Sequence, residues 1–409
     1  MMMRSGFSPK DRKMQLDKIL NELFGSLIGS KRPIGWVFHF WPVFVTSFIA
    51  ALGSTWLCKK IAIKFGIVDK PDNLVKTHKE PIAYLGGLGI MIGLTVGILT
   101  GLFYLKNEEF FRVQLTWLLA ILAGAAVACF VGLTDDILDI KPRQKMLGQA
   151  AAAAILIAAG IVPNLRATTD SLKIPLPHSL EVILQILVVI FFVLGATNSL
   201  NLLDGLDGLC GGATVIITIA MLFLATHLAT WGSSAVGDPV RIIICLGLVG
   251  GVFGFLPFNR HPAKIFMGDA GSLLLGFSVA ALMILFAEDI PRWWMASIVV
   301  FGLPILDTST ALVRRLLNKR SLFVSDRGHI YDQMIDRGIP QKKTVKICYL
   351  LAIMYAAIGV VMSQIRTRYA AVVYIAVIII SAMMIWKKGY LKMEGLRGAV
   401  HKKNTPPQD

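Results

Sequence analysis

Three polar clusters have the residue types and spacing to work on phosphate. "DDILD" sets Asp135, Asp136 and Asp139 at i, i+1 and i+4, so Asp135 and Asp139 share a helical face. "NSLNLLDGLDGLCGG" carries Asn198, Asn201, Asp204 and Asp207 at intervals of three. Gly205 and Gly208 are expected to interrupt the helix there and let the acids turn toward one point. "FMGDAGS" isolates Asp269 between Phe266 and a glycine-rich helix start. Neighbouring carboxylates repel, and near lipid they are costly without a cation. Mg²⁺ suits such a set, because one or two carboxylates hold it while substrate phosphates complete its shell. Mn²⁺ is the other candidate ion. A solvated loop start accounts equally for Asp135 and Asp136, and a helix cap for Asp269, so both alternatives stay open.

Basic residues supply the complementary half. Lys76, His78 and Lys79, then Lys141, Arg143 and Lys145, then Arg327 and His329 lie in the same group of loops as the acids. Each alone is an ordinary loop residue. Together they can neutralise several phosphates, which is where the catalysis of phosphoryl transfer mostly originates.

The elements that must position these residues are apolar. The 409-residue chain is 55% hydrophobic and only 16% charged, against about 25% charged in a soluble domain. Eleven apolar segments run roughly over 35–57, 84–105, 114–133, 147–163, 181–200, 209–229, 242–258, 271–288, 293–313, 347–364 and 369–386, many near the ~20 residues a helix needs to cross a bilayer. The expected fold is an all-α polytopic membrane protein, a bundle of about eleven transmembrane helices with a cytoplasm-facing active site. Residues 35–386 form the transmembrane catalytic domain, between an N-terminal tail (1–34) and a basic C-terminal tail (387–409). In the first tail, Leu16, Ile19, Leu20, Leu23 and Leu27 recur at helical spacing, a pattern for an amphipathic interfacial helix.

Lys and Arg concentrate in alternate loops, which the positive-inside rule assigns to the cytoplasm, and every polar cluster falls in that set. The same rule puts the basic N-terminal tail outside, against its own charge. The net charge of +16 follows from this pattern rather than from a nucleic-acid surface. The five cysteines have no metal or disulfide spacing and belong to packing.

In their order, "DKPDNLVKTHKEPIAYLGG", "GLTDDILD", "NSLNLLDGLDGL", "NRHPAKIFMGDAGSLLLG" and "DRGHI" resemble the polyprenyl-phosphate N-acetylhexosamine-1-phosphate transferases. That superfamily includes the bacterial phospho-N-acetylmuramoyl-pentapeptide translocase. The resemblance spans roughly residues 35–340. It implies transfer of a sugar 1-phosphate, N-acetylglucosamine 1-phosphate first among them, from a UDP-sugar to a polyprenyl phosphate such as undecaprenyl phosphate. UMP is released at the bacterial inner membrane, as the first membrane step of envelope polysaccharide synthesis. By the same resemblance Asp269 is the Mg²⁺ ligand with Asn201 as a second, and Asp135 and Asp136 lie near the lipid phosphate. Asp204 and Asp207 complete the catalytic acids, while Asp207, Asn259 and Phe266 match uracil-holding positions. Lys76, His78, Arg327 and His329 are expected to meet substrate, and a homodimer is left open.

Two departures stand out. "HIYD" (329–332) replaces the family's "HIHH", and Ala83 and Tyr84 replace Pro and Arg. The rival from another class is a secondary transporter, which predicts midplane acids and weak internal symmetry. This chain has neither.

Overall fold

An apolar run in lipid must satisfy its own backbone polar groups, and a helix does so within one segment. The computed structural model describes residues 33–69, 81–166, 169, 177–230, 234, 236–288, 290–320 and 328–392. The chain forms α1 (Pro33–Phe65), β1 (Val68–Asp69), β2 (Ile82–Ala83), α2 (Gly86–Leu105), α3 (Phe111–Leu138), α4 (Pro142–Ala158) and α5 (His178–Leu203). It continues through α6 (Leu209–Ala229), α7 (Gly237–Asn259), α8 (Gly268–Leu285), α9 (Pro291–Val300), α10 (Gly302–Leu317), α11 (Ile330–Asp336), α12 (Gln341–Gln364) and α13 (Thr367–Lys387). The protein is an all-α polytopic membrane protein.

Among the described residues, nine helices are long and apolar enough to span. The expected segment 293–313 is not one straight helix. α9 and α10 meet at a 69° bend, and counted as one broken span they make a tenth. The ring of Tyr355 occupies the space where Gly302, at that bend, lacks a Cβ. α4 has 17 residues, about 25 Å, which falls short of the ~30 Å hydrocarbon core. A two-stranded antiparallel ribbon, pairing Val68 with Ala83 and Asp69 with Ile82, was not anticipated. The amphipathic segment near residue 20 lies outside the described residues.

α1, α2 and α7 pack at small-residue separation. Gly93 and Gly97 of α2 face Ser47 of α1 and Gly251 and Gly247 of α7, so the backbones approach as small-xxx-small helices do. The Ser47 hydroxyl donates to the Gly247 carbonyl at 2.6 Å. α8 is enclosed on all sides, whereas α13 exposes Val372, Ile375, Ile379 and Trp386, as a lipid-facing helix should.

The far end of α7 carries a charged knot. Arg241 is fully buried and donates to Asp238 at 2.5 Å, to Glu288 at 3.1 Å and to the Leu285 carbonyl at 2.7 Å. Ser234 donates to the other Glu288 oxygen at 2.8 Å. Removing one member of such a set strands the rest. We expect Arg241→Leu to destabilise the folded protein by about 3 kcal/mol, read as a lower melting temperature in detergent. The substitution lies eighteen residues, roughly 27 Å, from Asn259 at the other end of α7. Turnover per folded molecule at low temperature should therefore stay within about twofold of the unaltered protein.

Candidate active site

One ammonium organises the site. Lys145, from the first turn of α4, donates to Asp135 at the end of α3 (2.9 Å), to the Asn201 side-chain oxygen at the end of α5 (3.1 Å) and to Asp269 at the start of α8. Asn201 also donates to the other Asp269 oxygen at 2.7 Å and to the Ser272 hydroxyl at 3.0 Å. Residues up to 134 positions apart in sequence therefore meet at one end of the bundle. Asp135 and Asp269 both face inward at partial burial.

The acid pair divides its work. Asp136 accepts the backbone N–H groups of Asp269 (2.8 Å) and Ala270 (3.1 Å), so it caps α8 from a different helix. A carboxylate at a helix N-terminus satisfies orphan donors and meets the positive end of the dipole. Because Asp136 does the capping, Asp269 is free to turn to Lys145 and Asn201. Two glycines make the approach possible. A Cβ on Gly132 would enter the Asp269 carbonyl group, and one on Gly268 (φ +67°) would enter the Asp136 carboxylate. Asp139, expected on the Asp135 face, instead ends α3 in the left-handed region (φ 48°) and is exposed. The helix stops one residue too soon for that shared face.

The turn after α5 is held from three directions. Tyr331 donates to the Leu202 carbonyl at 2.8 Å and Tyr349 to the Gly208 carbonyl at 2.6 Å, while Gly208 donates its N–H to Asn259 at 3.1 Å. Gly208 has φ +76°, a conformation that glycine adopts without strain, and α6 begins from it. Asp204 closes α5, and its carboxylate has no hydrogen-bond partner among the described residues. Burial raises its pKa well above the ordinary range, and facing Asp269, Asp136 and Asp207 adds to the effect.

Asp207 does not turn to the common point expected of it. It bonds His261 Nδ1 at 2.8 Å and accepts the Ala263 N–H at 3.1 Å, because the turn directs it to the 260–264 loop. Asn259 is buried, and its amide nitrogen donates to the Ile265 carbonyl at 3.0 Å, so both ends of its side chain meet backbone.

Phe266 lies in a short backbone ladder. Its N–H donates to the Ala83 carbonyl (2.8 Å), its carbonyl accepts from Gly86 (3.0 Å), and Gly87 donates to Met267 (3.0 Å). The Tyr84 and Phe266 rings stand 6.1 Å apart at 57°, so the residue that departs from the family pattern lines the same wall.

His329 is nearly fully buried. Its Nδ1 meets Asp307 of α10 at 2.8 Å, and the neighbouring Ile330 N–H donates to the other Asp307 oxygen at 2.7 Å. Its ring stacks on Tyr331 at 5.6 Å. Burial alone would lower the imidazole pKa, but the Asp307 carboxylate outweighs it, with Asp332 adding and Arg314 opposing, so the net direction is upward from 6.5. A raised folded-state value means the pair stabilises fully below the unfolded value near ~6.5 and is lost as pH climbs through the folded one. The melting temperature should therefore fall across that window. His329→Gln should flatten that fall, as a thermal-shift series against pH will read.

The structure thus brings together Asp135, Asp136, Asn201, Asp204 and Asp269, and puts Asp207, Asn259 and Phe266 on the adjoining wall. Lys76, His78 and Arg327 lie outside the described residues. Two contributors were underrated from sequence. Lys145 passed as one loop cation among several, although its place four residues into a helix facing "DDILD" hinted at more. Asp307 was overlooked inside an apolar segment, where an acid is a functional signal by default.

Fold and site together define a polytopic membrane enzyme of the phosphoryl-transfer type. Residues 118–287 match the model of glycosyl transferase family 4. The chain is 31% identical over 366 residues to the probable undecaprenyl-phosphate N-acetylglucosaminyl 1-phosphate transferase of Bacillus subtilis, covering 86% of this chain and 91% of that one. It is 30% identical to the decaprenyl-phosphate N-acetylglucosaminephosphotransferase of Mycobacterium tuberculosis (75% and 78% covered). It is also 30% identical to the phospho-N-acetylmuramoyl-pentapeptide-transferase of Desulforamulus reducens (68% and 81% covered). The chain belongs to the polyprenyl-phosphate N-acetylglucosamine 1-phosphate transferases, within the superfamily that includes the pentapeptide transferases.

Proposed function

We propose that the protein transfers N-acetylglucosamine 1-phosphate from UDP-N-acetylglucosamine to a polyprenyl phosphate, releasing UMP, at the cytoplasmic face of a bacterial inner membrane. The reaction would open the membrane stage of envelope polysaccharide synthesis. The observation that carries this reading is the grip of Asp135, Asn201 and Asp269, from three separate helix ends, on one positive charge.

The donor set fits Mg²⁺. Among the described residues no three His, Cys, Asp or Glu side chains form a metal cluster. Mg²⁺ asks for less, since one or two carboxylates with substrate phosphates suffice. Asp269 and Asp135 with the Asn201 oxygen would hold it, and Asp204 supplies a nearby carboxylate with no partner of its own. When bound, it neutralises the diphosphate and the departing UMP.

A lipid phosphate oxygen attacks the β-phosphorus in line, a new P–O bond forms, and the bond to the bridging oxygen breaks with its electron pair leaving on UMP. A general base is not required. A phosphate monoester has its second pKa near ~6 and is already mostly dianionic at neutral pH. The acids therefore act by holding charge and geometry, Asp135 directly and Asp136 by fixing Asp269. The wall formed by Asn259, Phe266 and Tyr84 would seat a planar base beside Phe266, and Asp207 borders it through the 260–264 loop.

The test is purified protein in detergent with UDP-N-acetylglucosamine, undecaprenyl phosphate and Mg²⁺, with UMP measured over time. UMP formed only when both substrates are present supports the reading, and its absence removes it. Parallel runs with other UDP-sugars settle the donor.

A further inference from the structure

Lys145 and a divalent cation cannot share the same three oxygens. Two like charges a few ångströms apart in a partly buried site repel strongly, so one must leave before the other settles. We propose that Lys145 is a built-in counter-ion, which occupies the cation's place in the resting enzyme, is displaced when the metal settles, and then meets a phosphate oxygen of the incoming nucleotide diphosphate. This rests on the function proposed above.

Three features of the chain support the exchange. Asp135 has Lys145 as its only cationic partner among the described residues, and so does Asp269. Without Lys145, two partly buried carboxylates would face each other uncompensated in the resting state. The side chain is also built to move. A lysine ammonium is a compact charge on a flexible four-carbon stem, so it can shift by several ångströms without disturbing its helix. Its anchor does not move with it. Lys145 lies in the first turn of α4, where Pro142 occupies the start and the Gln144 side chain accepts the Lys141 N–H at 3.0 Å. Finally, the ammonium already sits where the diphosphate must come, since any metal bound to Asp269 and Asp135 carries its phosphate ligands there. A displaced Lys145 remains within reach of those oxygens. The negative charge of the resting site is thereby partly offset, and metal binding becomes coupled to the arrival of substrate.

The experiment compares full-length protein, Lys145→Met and Asp269→Asn in detergent, titrated with Mn²⁺ and followed by the loss of free-ion electron paramagnetic resonance. Without substrate, Lys145→Met should bind Mn²⁺ at least tenfold more tightly than the unaltered protein, because the competitor is gone. Turnover should nevertheless fall, because the phosphate contact is gone too. Equal or weaker Mn²⁺ binding in a folded Lys145→Met overturns the exchange, and Mn²⁺ binding lost in Asp269→Asn leaves the metal reading standing on its own. Mn²⁺ binding in none of the three, with UMP formed in chelator, overturns both.

A second measurement needs no variant. Amine acetylation followed by mass spectrometry should label Lys145 several-fold faster in saturating Mg²⁺ than in chelator. An unchanged rate overturns the proposal even if Lys145→Met fails to fold.

Discussion

Asp269→Asn should release UMP about 10³-fold more slowly while remaining folded. The reason lies in the separation of two tasks at the start of α8. The helix end is capped by Asp136, which the substitution leaves alone, so the backbone at Gly268–Ala270 keeps both of its donated hydrogen bonds. What disappears is a single negative charge facing Lys145 and Asn201. Stability should drop by about 1–2 kcal/mol for the lost charge-assisted bond, far less than unfolding requires. The check is UMP release at saturating substrates alongside a melting curve. Near-normal turnover in the folded variant would remove Asp269 from the chemistry.

The adjacent acids should separate in the same pair of measurements. Asp135→Ala should lower turnover about 10²-fold while shifting stability by less than about 1 kcal/mol, because Lys145 keeps Asp269 and Asn201 as partners. Asp136→Ala should lose both turnover and stability. It strands the N–H groups of Asp269 and Ala270, worth about 2 kcal/mol or more, and releases the segment that aims Asp269. If the two variants lose stability equally, the division of labour within the pair is wrong. An assay of product alone would score both residues as catalytic, and only the melting curve tells the tool from its mount.

Much of this was legible before any coordinates. Runs of apolar residues dictate helices in lipid, so the class of fold and the location of most spans followed from composition. What composition could not show was where a helix breaks. α9 and α10 read as one segment because both halves are apolar, while the residue packed against Gly302 at the bend, Tyr355, comes from a helix distant in sequence. The clustering of Asp135, Asn201 and Asp269 was readable because their loops alternate in charge with the rest.

Roles within the cluster were not. Whether Asp269 caps its own helix turns on Asp136, over a hundred residues earlier, and spacing along one chain carries no record of such a meeting. Asp207 followed the same logic in reverse. Its three-residue spacing matched its neighbours, but the turn at Gly205–Gly208 directs it to His261.

The turn after α5 has a consequence of its own. Tyr331, Tyr349 and Asn259 arrive from three different parts of the chain and tie down the carbonyl of Leu202 and both backbone groups of Gly208. Such a segment cannot open unless distant parts of the protein open with it. Its amide hydrogens should therefore exchange with heavy water about as slowly as those of the enclosed core, unusual for a glycine-rich connection at a membrane surface. Substrates would then meet a template whose shape was settled during folding, so little ordering remains to be done when they bind.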